Sequence, residues 1–136
     1  MSDLTSNDKK IYRNIGISDL GHYRLPAAGV VSILHRISGA GMFLFLPFLL
    51  YLFKKSVTSE ISFSVFRGFM GHWYIKLVVL GLIWAFLHHL IAGVRHLFMD
   101  AHHLLEKESG RNSALAVMGL SIVISAIAGL KLFGAF

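Results

Sequence analysis

Charged side chains are distributed so unevenly along this chain of 136 residues that the gaps between them constrain the fold more than any other feature. Arg36 is the only charged residue between Leu25 and Phe53, and residues 77–94 and 112–130 contain none. A helix needs about 20 mostly apolar residues to cross the hydrocarbon core of a bilayer. Each stretch reaches that length when a few flanking residues are included. The pattern therefore predicts three transmembrane helices, at about 28–53, 75–99 and 113–135.

The composition supports a membrane protein and excludes several other classes. Hydrophobic residues make up 55% of the chain and charged residues 15%, whereas soluble domains carry about 25% charged residues. Intrinsic disorder is excluded because it requires low hydrophobicity. The chain has no cysteine, which excludes disulfide scaffolds, thiolate metal sites, iron–sulfur ligation and cysteine nucleophiles. The first apolar run begins too late and is too long for a secretory signal.

The segments outside the predicted spans are short. We expect an N-terminal arm over residues 1–27 and a transmembrane anchor domain over residues 28–136. None of the outer segments is expected to fold alone, because chains below about 40 residues rarely bury enough core. The sequence therefore predicts an all-α membrane protein whose chemistry takes place inside the bilayer, at its edge or on a partner.

The basic residues favour one orientation. Three spans put the N-terminal arm and the second loop on the same side, and this side holds eight of the 13 basic residues when Arg36 is included. Because positive charge favours the cytoplasm, we expect a multi-pass protein with a cytoplasmic N-terminus. The formal net charge of +6 is then assigned mostly to an inward-facing rim that meets lipid headgroups and protein partners, and not to nucleic-acid binding.

Ionisable groups in membrane helices are costly and mark function by default, and here they form two clusters. The first cluster is Ser32, His35 and Arg36. Ser32 and Arg36 lie one turn apart on one helix face, which Gly39 continues.

The second cluster is His88, His89, Arg95 and His96. His89 and His96 are seven residues apart, so they differ by only about 20° around the helix axis. Gly93 lies between them on the same stripe, whereas His88 is turned about 100° away from His89.

The two clusters are expected to meet at one membrane edge, because the first span leaves the cytoplasmic side and the second returns to it. His89 then lies about 10 Å deeper than His96. A deep imidazole below a cationic rim suits haem b: the imidazole binds the iron, and Arg36, Arg95 or His96 can pair with the propionates. This stripe offers one clear axial histidine, so the second ligand is expected from another chain.

Structural interpretations compete at each position. Arg95 alone can extend to phosphate headgroups, and His89 alone can form an interhelical hydrogen bond. Trp73 and Tyr74 are typical of an interfacial aromatic belt. The third span carries a stripe of small residues at Ser121, Ser125 and Gly129. This stripe indicates close helix packing, with a partner subunit as one candidate neighbour. The remaining histidines are expected at the interface or in solvent: His22, His72, His102 and His103.

Two runs carry a resemblance to a known family: RLPAAGVVSILHRISGAG at residues 24–41 and HLIAGVRHLFMD at residues 89–100. At these runs the chain resembles the cytochrome b556 membrane-anchor subunits of succinate dehydrogenase, respiratory complex II. The spacing of the runs, the three spans and the length agree with the bacterial members over roughly residues 10–135. The RP-x-SPH-x3-Y segment of many members is absent from the N-terminal arm.

The resemblance implies roles for particular residues. His89, at the first position of H-x3-G-x-RH, is the implied axial ligand of haem b, opposite a histidine of a second anchor subunit. Ser32 and Arg36 are implied to line a quinone site near the cytoplasmic edge. His35, Arg36 and His96 are implied to lie near the propionates or the quinone.

The resemblance also implies an assembly. The three spans would form half of a haem-binding helical bundle, completed by the second anchor subunit, in the bacterial cytoplasmic membrane. Succinate would be oxidised on a flavoprotein subunit that holds FAD, and electrons would pass through clusters on an iron–sulfur subunit to ubiquinone, the substrate at the membrane edge. This chain would belong to the enzyme succinate:quinone oxidoreductase without carrying its succinate site.

Three alternatives stay open at this stage. The chain can anchor a fumarate reductase, which shares the architecture and runs the reaction in reverse. It can be a structural anchor without a redox role. A small proton or metal transporter is the third alternative, but it requires polar residues through the whole membrane, and the third span offers only serine and asparagine.

Overall fold

The computed structural model describes Gly16, residues 25–104 and residues 106–134. Within these residues the chain forms four α-helices and no strand: α1 (Ala27–Val57), α2 (Glu60–Met70), α3 (Trp73–Asp100) and α4 (Lys107–Leu132). Three of them, α1, α3 and α4, are long and apolar enough to cross a membrane. The predicted all-α membrane fold with three spans is therefore confirmed. The N-terminal arm, including His22, lies outside the described residues apart from Gly16 and its last three positions.

The helix ends differ modestly from the predicted ones. Pro26 is the N-cap of α1, and its carbonyl accepts hydrogen bonds from the N–H groups of Gly29 and Val30 at 2.9 and 3.1 Å. The helix continues past Pro47 to Val57 instead of ending near residue 53. α4 begins at Lys107 and not near residue 113, because its first turns are polar and lie outside the apolar run.

Between the first two predicted spans the apolar pattern predicts only a loop, but the structure forms the short helix α2 there. Its start is a reciprocal capping box: the Ser62 N–H donates to Ser59 Oγ at 3.1 Å, and the Ser59 N–H donates to Ser62 Oγ at 3.0 Å. Glu60 in its first turn and Arg67 in its last turn complement the helix dipole. With 11 residues, α2 is too short to cross a bilayer.

The three spans form one bundle in which α3 contacts both α1 and α4, and α1 also contacts α4. Small side chains dominate the buried centre, namely Val31, Ala92, Ala114 and Val117. Small residues let helix backbones approach closely, which is how membrane helices associate where no water is expelled. Most large apolar side chains point outward, as expected for surfaces that face lipid. α2 packs on the second half of α1, where the rings of Phe48 and Phe69 lie 6.4 Å apart.

Candidate functional site

The centre of the site is a hydrogen bond between α3 and the backbone of α1. His89 Nδ1 lies 2.9 Å from the carbonyl oxygen of His35. A carbonyl oxygen only accepts, so Nδ1 carries the proton and donates it. Nε2 of the neutral ring is then left with a free lone pair, and within the described residues it has no hydrogen-bond partner.

Ser38 supports this arrangement from α1. Its hydroxyl donates to the same His35 carbonyl oxygen at 2.9 Å and lies 3.4 Å from His89 Nδ1. Ser38 is buried, and the sequence analysis did not single it out. Ser38 lies three residues after His35, so the two residues share one face of α1. This spacing is the sequence signal that points to Ser38.

Three imidazoles come together between α1 and α3. The His35 ring stacks on the His89 ring, with centroids 4.0 Å apart and an interplanar angle of 12°. The His96 ring lies 5.0 Å from the His35 ring at a tilt of 56°. The sequence predicts that the two ionisable clusters meet at one membrane edge, and the structure brings these three histidines together. Even so, no group of three metal-binding side chains is arranged to hold an ion anywhere in the described ranges.

Two glycines make the close approach possible. A Cβ atom added at Gly39 would lie 2.7 Å from Cε1 and 3.1 Å from Nδ1 of His89, closer than real Cβ contacts. A Cβ atom at Gly93 would meet Nε2 of His35 at 3.5 Å, an ordinary contact. A side chain at Gly39 would therefore clash with the His89 ring in its observed position. At Gly93 the space is already occupied by the His35 side chain.

Ser32 and Arg36 lie on α1 beside the imidazole cluster. The Ser32 side chain is half-buried and the Arg36 side chain is exposed. In the part of the chain that the structure describes, neither side chain makes a hydrogen bond or an ion pair. Their hydroxyl and guanidinium donors are thus free to bind a ligand at this edge of the bundle.

Arg95 faces away from this cluster. Its side chain is only 4% exposed and reaches α4, where Nε donates to Ser113 Oγ at 3.0 Å and Nη2 donates to the Gly110 carbonyl at 3.1 Å. Sequence analysis grouped Arg95 with the rim around His89. The structure separates them, because Arg95 shares a helix stripe with His88 and not with His89.

His88 is fully buried between α3 and α4. Its ring stacks on Trp84, with centroids 5.3 Å apart, and its Nδ1 lies 3.4 Å from Ser121 Oγ. The Ser121 hydroxyl also lies 3.0 Å from the Met118 carbonyl, and the tautomer of the His88 ring decides whether Nδ1 or the hydroxyl donates. Nε2 is buried without a hydrogen bond of good geometry inside the described ranges, while the backbone of Val31 on α1 also interacts with this ring. The spacing of His88, Ala92 and Arg95 places them on one helical face, and the structure shows that this face packs on α4.

The small-residue stripe of the third span packs within the chain. Ser121, Ser125 and Gly129 are buried, and a Cβ atom added at Gly129 would lie 3.2 Å from Cδ1 of Leu80 on α3. The predicted close packing is confirmed, with the chain's own second span as the neighbour. The remaining described histidines and the aromatic pair are exposed at the ends of α3: His72, Trp73, Tyr74, His102 and His103.

The fold and the site define a helical membrane protein with an imidazole cluster between its first two spans. Residues 11–128 match the family described as succinate dehydrogenase/fumarate reductase transmembrane subunit. The chain belongs to this family, which confirms the resemblance of its two sequence runs.

Curated relatives cover most of the chain. A protein of Paracoccus denitrificans named succinate dehydrogenase cytochrome b556 subunit is 32% identical over 133 residues, covering 98% of this chain and 98% of that protein. A protein of the same name from Coxiella burnetii is 37% identical over 113 residues, covering 82% and 90%. The succinate dehydrogenase cytochrome b560 subunit of Reclinomonas americana is 30% identical over 112 residues, covering 78% and 77%.

Proposed function

We propose that this chain is the membrane-anchor cytochrome b subunit of a succinate:quinone oxidoreductase, where it binds haem b and forms part of the quinone-reduction site. Family membership supports the enzyme, and the names of the relatives support the cytochrome. The observation that carries the haem assignment is the hydrogen bond from His89 Nδ1 to the His35 carbonyl, which leaves Nε2 available to a metal.

The residues fit a haem iron. Metal-binding histidines almost always donate their second ring N–H to a carbonyl or carboxylate, which fixes the tautomer and raises the basicity of the ligand. His89 has this arrangement, and Gly39 provides the space for its ring. His89 would hold the haem iron through Nε2 from this chain, and a histidine of a second anchor subunit would supply the other ligand.

Arg36, His35 and His96 are the proposed contacts of the propionates, since charged and polar donors pair with carboxylates at a membrane edge. Arg95 is not among these contacts, although the sequence pattern places it at the same rim, because its side chain is buried against α4 and bonds Ser113 and Gly110. When bound, haem b supplies a one-electron carrier next to the quinone site.

Ser32 and Arg36 are the proposed quinone ligands. A hydroxyl and a guanidinium that point to the same ligand oxygen stabilise the negative charge that develops on it during reduction. Both side chains are free of protein partners in the described residues. A guanidinium does not give up its proton, so the protons come from water, a histidine or another subunit.

The proposed assembly places the succinate chemistry elsewhere. The chain has no cysteine, so the iron–sulfur clusters belong to an iron–sulfur subunit, as FAD belongs to a flavoprotein subunit. The second anchor subunit would supply the other histidine that holds the iron. In the proposed orientation the N-terminus is cytoplasmic and the protein lies in the bacterial cytoplasmic membrane, so the imidazole cluster faces the side where the soluble subunits dock and ubiquinone is reduced.

The experiment is an optical spectrum and a haem assay of the purified complex carrying His89→Leu. We expect the reduced-minus-oxidised haem spectrum to be lost or altered. His88→Phe is the matched control, because this neighbouring ring faces α4, and it is expected to leave the spectrum unchanged. An unchanged spectrum in His89→Leu would reject the ligand, and a wild-type complex without haem would favour a purely structural anchor.

Anchoring of a fumarate reductase is the second candidate, because the family description includes both enzymes. The direction of the reaction depends on the quinone potential and the flavoprotein. Assaying the purified complex with ubiquinol and menaquinol as electron donors to fumarate, and with succinate as the donor to ubiquinone, distinguishes the two.

A further inference from the structure

The end of the bundle remote from the imidazole cluster, here called the α2 end, carries most of the net charge. It comprises residues 54–76 and 128–134, with five basic residues and one acidic residue: Lys54, Lys55, Arg67, Lys76, Lys131 and Glu60. This end therefore contributes +4 of the formal net charge of +6, and the inward-facing rim does not hold most of it. In the proposed orientation this charge faces outward, where the preference for positive charge in the cytoplasm does not explain it.

The helix α2 is suited to lie in the membrane interface at this end. It is amphipathic and too short to span, as is typical of interfacial helices. Phe66 and Phe69 are half-buried against α1, whereas Ile61 and Val65 are exposed. Exposed Trp73, the first residue of α3, is typical of the headgroup level.

An apolar cleft with one cation lies between α1 and α2. It has a volume of ≈ 90 Å³ and is lined by Tyr51, Leu52 and Lys55 of α1 and by Val65, Phe66 and Phe69 of α2. Lys55 is its only charged residue, and the Lys55 Nζ lies 5.8 Å from the centroid of the Tyr51 ring. The Lys55 carbonyl also accepts a hydrogen bond from Ser62 Oγ at 2.9 Å, which ties the two walls together.

We propose that this cleft binds an anionic phospholipid, with part of an acyl chain between α1 and α2 and the phosphate on the Lys55 ammonium. The apolar walls match an acyl chain, and a single ammonium at the rim matches one phosphate. The other four basic residues of the α2 end raise the local concentration of anionic headgroups, because each basic residue near a membrane surface is attracted to them. A zwitterionic lipid gains the apolar contacts but not this long-range attraction. The site does not depend on haem or quinone.

The test uses the whole purified complex, reconstituted in nanodiscs of phosphatidylcholine that contain a minor fraction of phosphatidylglycerol. Native mass spectrometry then counts the lipids of each kind that stay bound. We expect the wild-type complex to retain phosphatidylglycerol in preference to phosphatidylcholine. Lys55→Gln is expected to weaken this retention by more than about fivefold, the factor for one basic residue near an anionic surface, because the Lys55 ammonium would also contact the phosphate directly.

Two further variants separate a built site from diffuse charge. Val65→Phe narrows the cleft without changing the charge and is expected to reduce retention as well. Lys131→Gln removes the same charge at the same end but away from the cleft, so it is expected to change retention much less than Lys55→Gln.

Several outcomes would overturn the proposal. Equal retention of the two lipids by the wild-type complex would do so, as would equal losses in Lys55→Gln and Lys131→Gln. Unchanged retention in both Lys55→Gln and Val65→Phe would exclude the cleft. A cross-link from Val65→Cys to another subunit would show that protein covers the cleft.

Discussion

The ring of His89 lies so close to Gly39 that a Cβ atom on this glycine would be 2.7 Å from Cε1 of the histidine. The neighbouring atom belongs to a ring that is already held through Nδ1 by the His35 carbonyl. A side chain at Gly39 therefore displaces the imidazole or separates α1 from α3.

We accordingly expect Gly39→Ala to lower the haem content and alter the haem spectrum of the purified complex. The overpacking is expected to cost about 1–3 kcal/mol in stability. Gly41→Ala is the control, since nothing lies within 4 Å of a Cβ atom there and the gain in helix propensity is the same. A normal spectrum and unfolding temperature in Gly39→Ala would contradict the prediction.

Arg36→Ala is expected to reduce quinone reduction by about 100-fold, the loss typical of one donor removed from developing charge. Ser32→Ala should act in the same direction. Succinate oxidation with an artificial soluble acceptor should persist in both variants, because that chemistry takes place on another subunit. Arg67→Ala, at the other end of the bundle, serves as the control. Full succinate:quinone activity in Arg36→Ala would exclude the proposed quinone site.

Removal of the hydroxyl that holds Arg95 should destabilise the contact between α3 and α4. Ser113→Ala leaves the buried Nε of Arg95 without its partner at 3.0 Å, which is expected to cost about 1–3 kcal/mol. Thermal unfolding of the purified complex in detergent measures this loss. Asn112→Ala changes an exposed neighbour and should leave the unfolding temperature unchanged. Equal unfolding temperatures for Ser113→Ala and the wild type would show that this hydrogen bond adds no stability.

The contact between buried His88 and Ser121 predicts that substitution of Ser121 destabilises the protein more than substitution of His88. Ser121→Ala removes the hydroxyl partner of the buried His88 Nδ1, at an expected cost of about 1–3 kcal/mol. His88→Phe should cost less, because it removes the buried ring nitrogens themselves and keeps a ring against Trp84, while the Ser121 hydroxyl keeps the Met118 carbonyl. Unfolding temperatures of the two variants give the order, and the reverse order would contradict this account.

Sequence reasoning predicted the three spans because apolar length decides membrane insertion, and it brought His35, His89 and His96 together because helical spacing and antiparallel order fix their positions. It did not separate Arg95 from His89. The stripe that faces α4 depends on which side of α3 the third span occupies, and no pattern within α3 alone specifies that. The capping serines of α2 were visible in the sequence, but a search for long apolar runs passes over a helix of 11 residues.

The roles of His88 and His89 also depend on tertiary structure. Both are histidines in the same apolar segment, and each bonds its neighbour through Nδ1. One bonds a hydroxyl on α4 and the other a carbonyl on α1. His88 is buried and His89 is partly exposed because of the rotation of α3 about its own axis. The hydrogen bonds of Arg95 to α4 and the packing of Gly129 on Leu80 help to fix this rotation.

The hydrogen bond that orients His89 is made entirely within this chain, between two helices that pack directly on each other. The conformational entropy lost in orienting the imidazole is therefore lost when the chain folds, and in the proposed function a haem iron at Nε2 would meet a ligand that is already in place. Preorganisation of this kind increases affinity by reducing what binding itself must order. It would also give the proposed assembly a direction, because this chain would present its ligand before a second subunit contributes the other one.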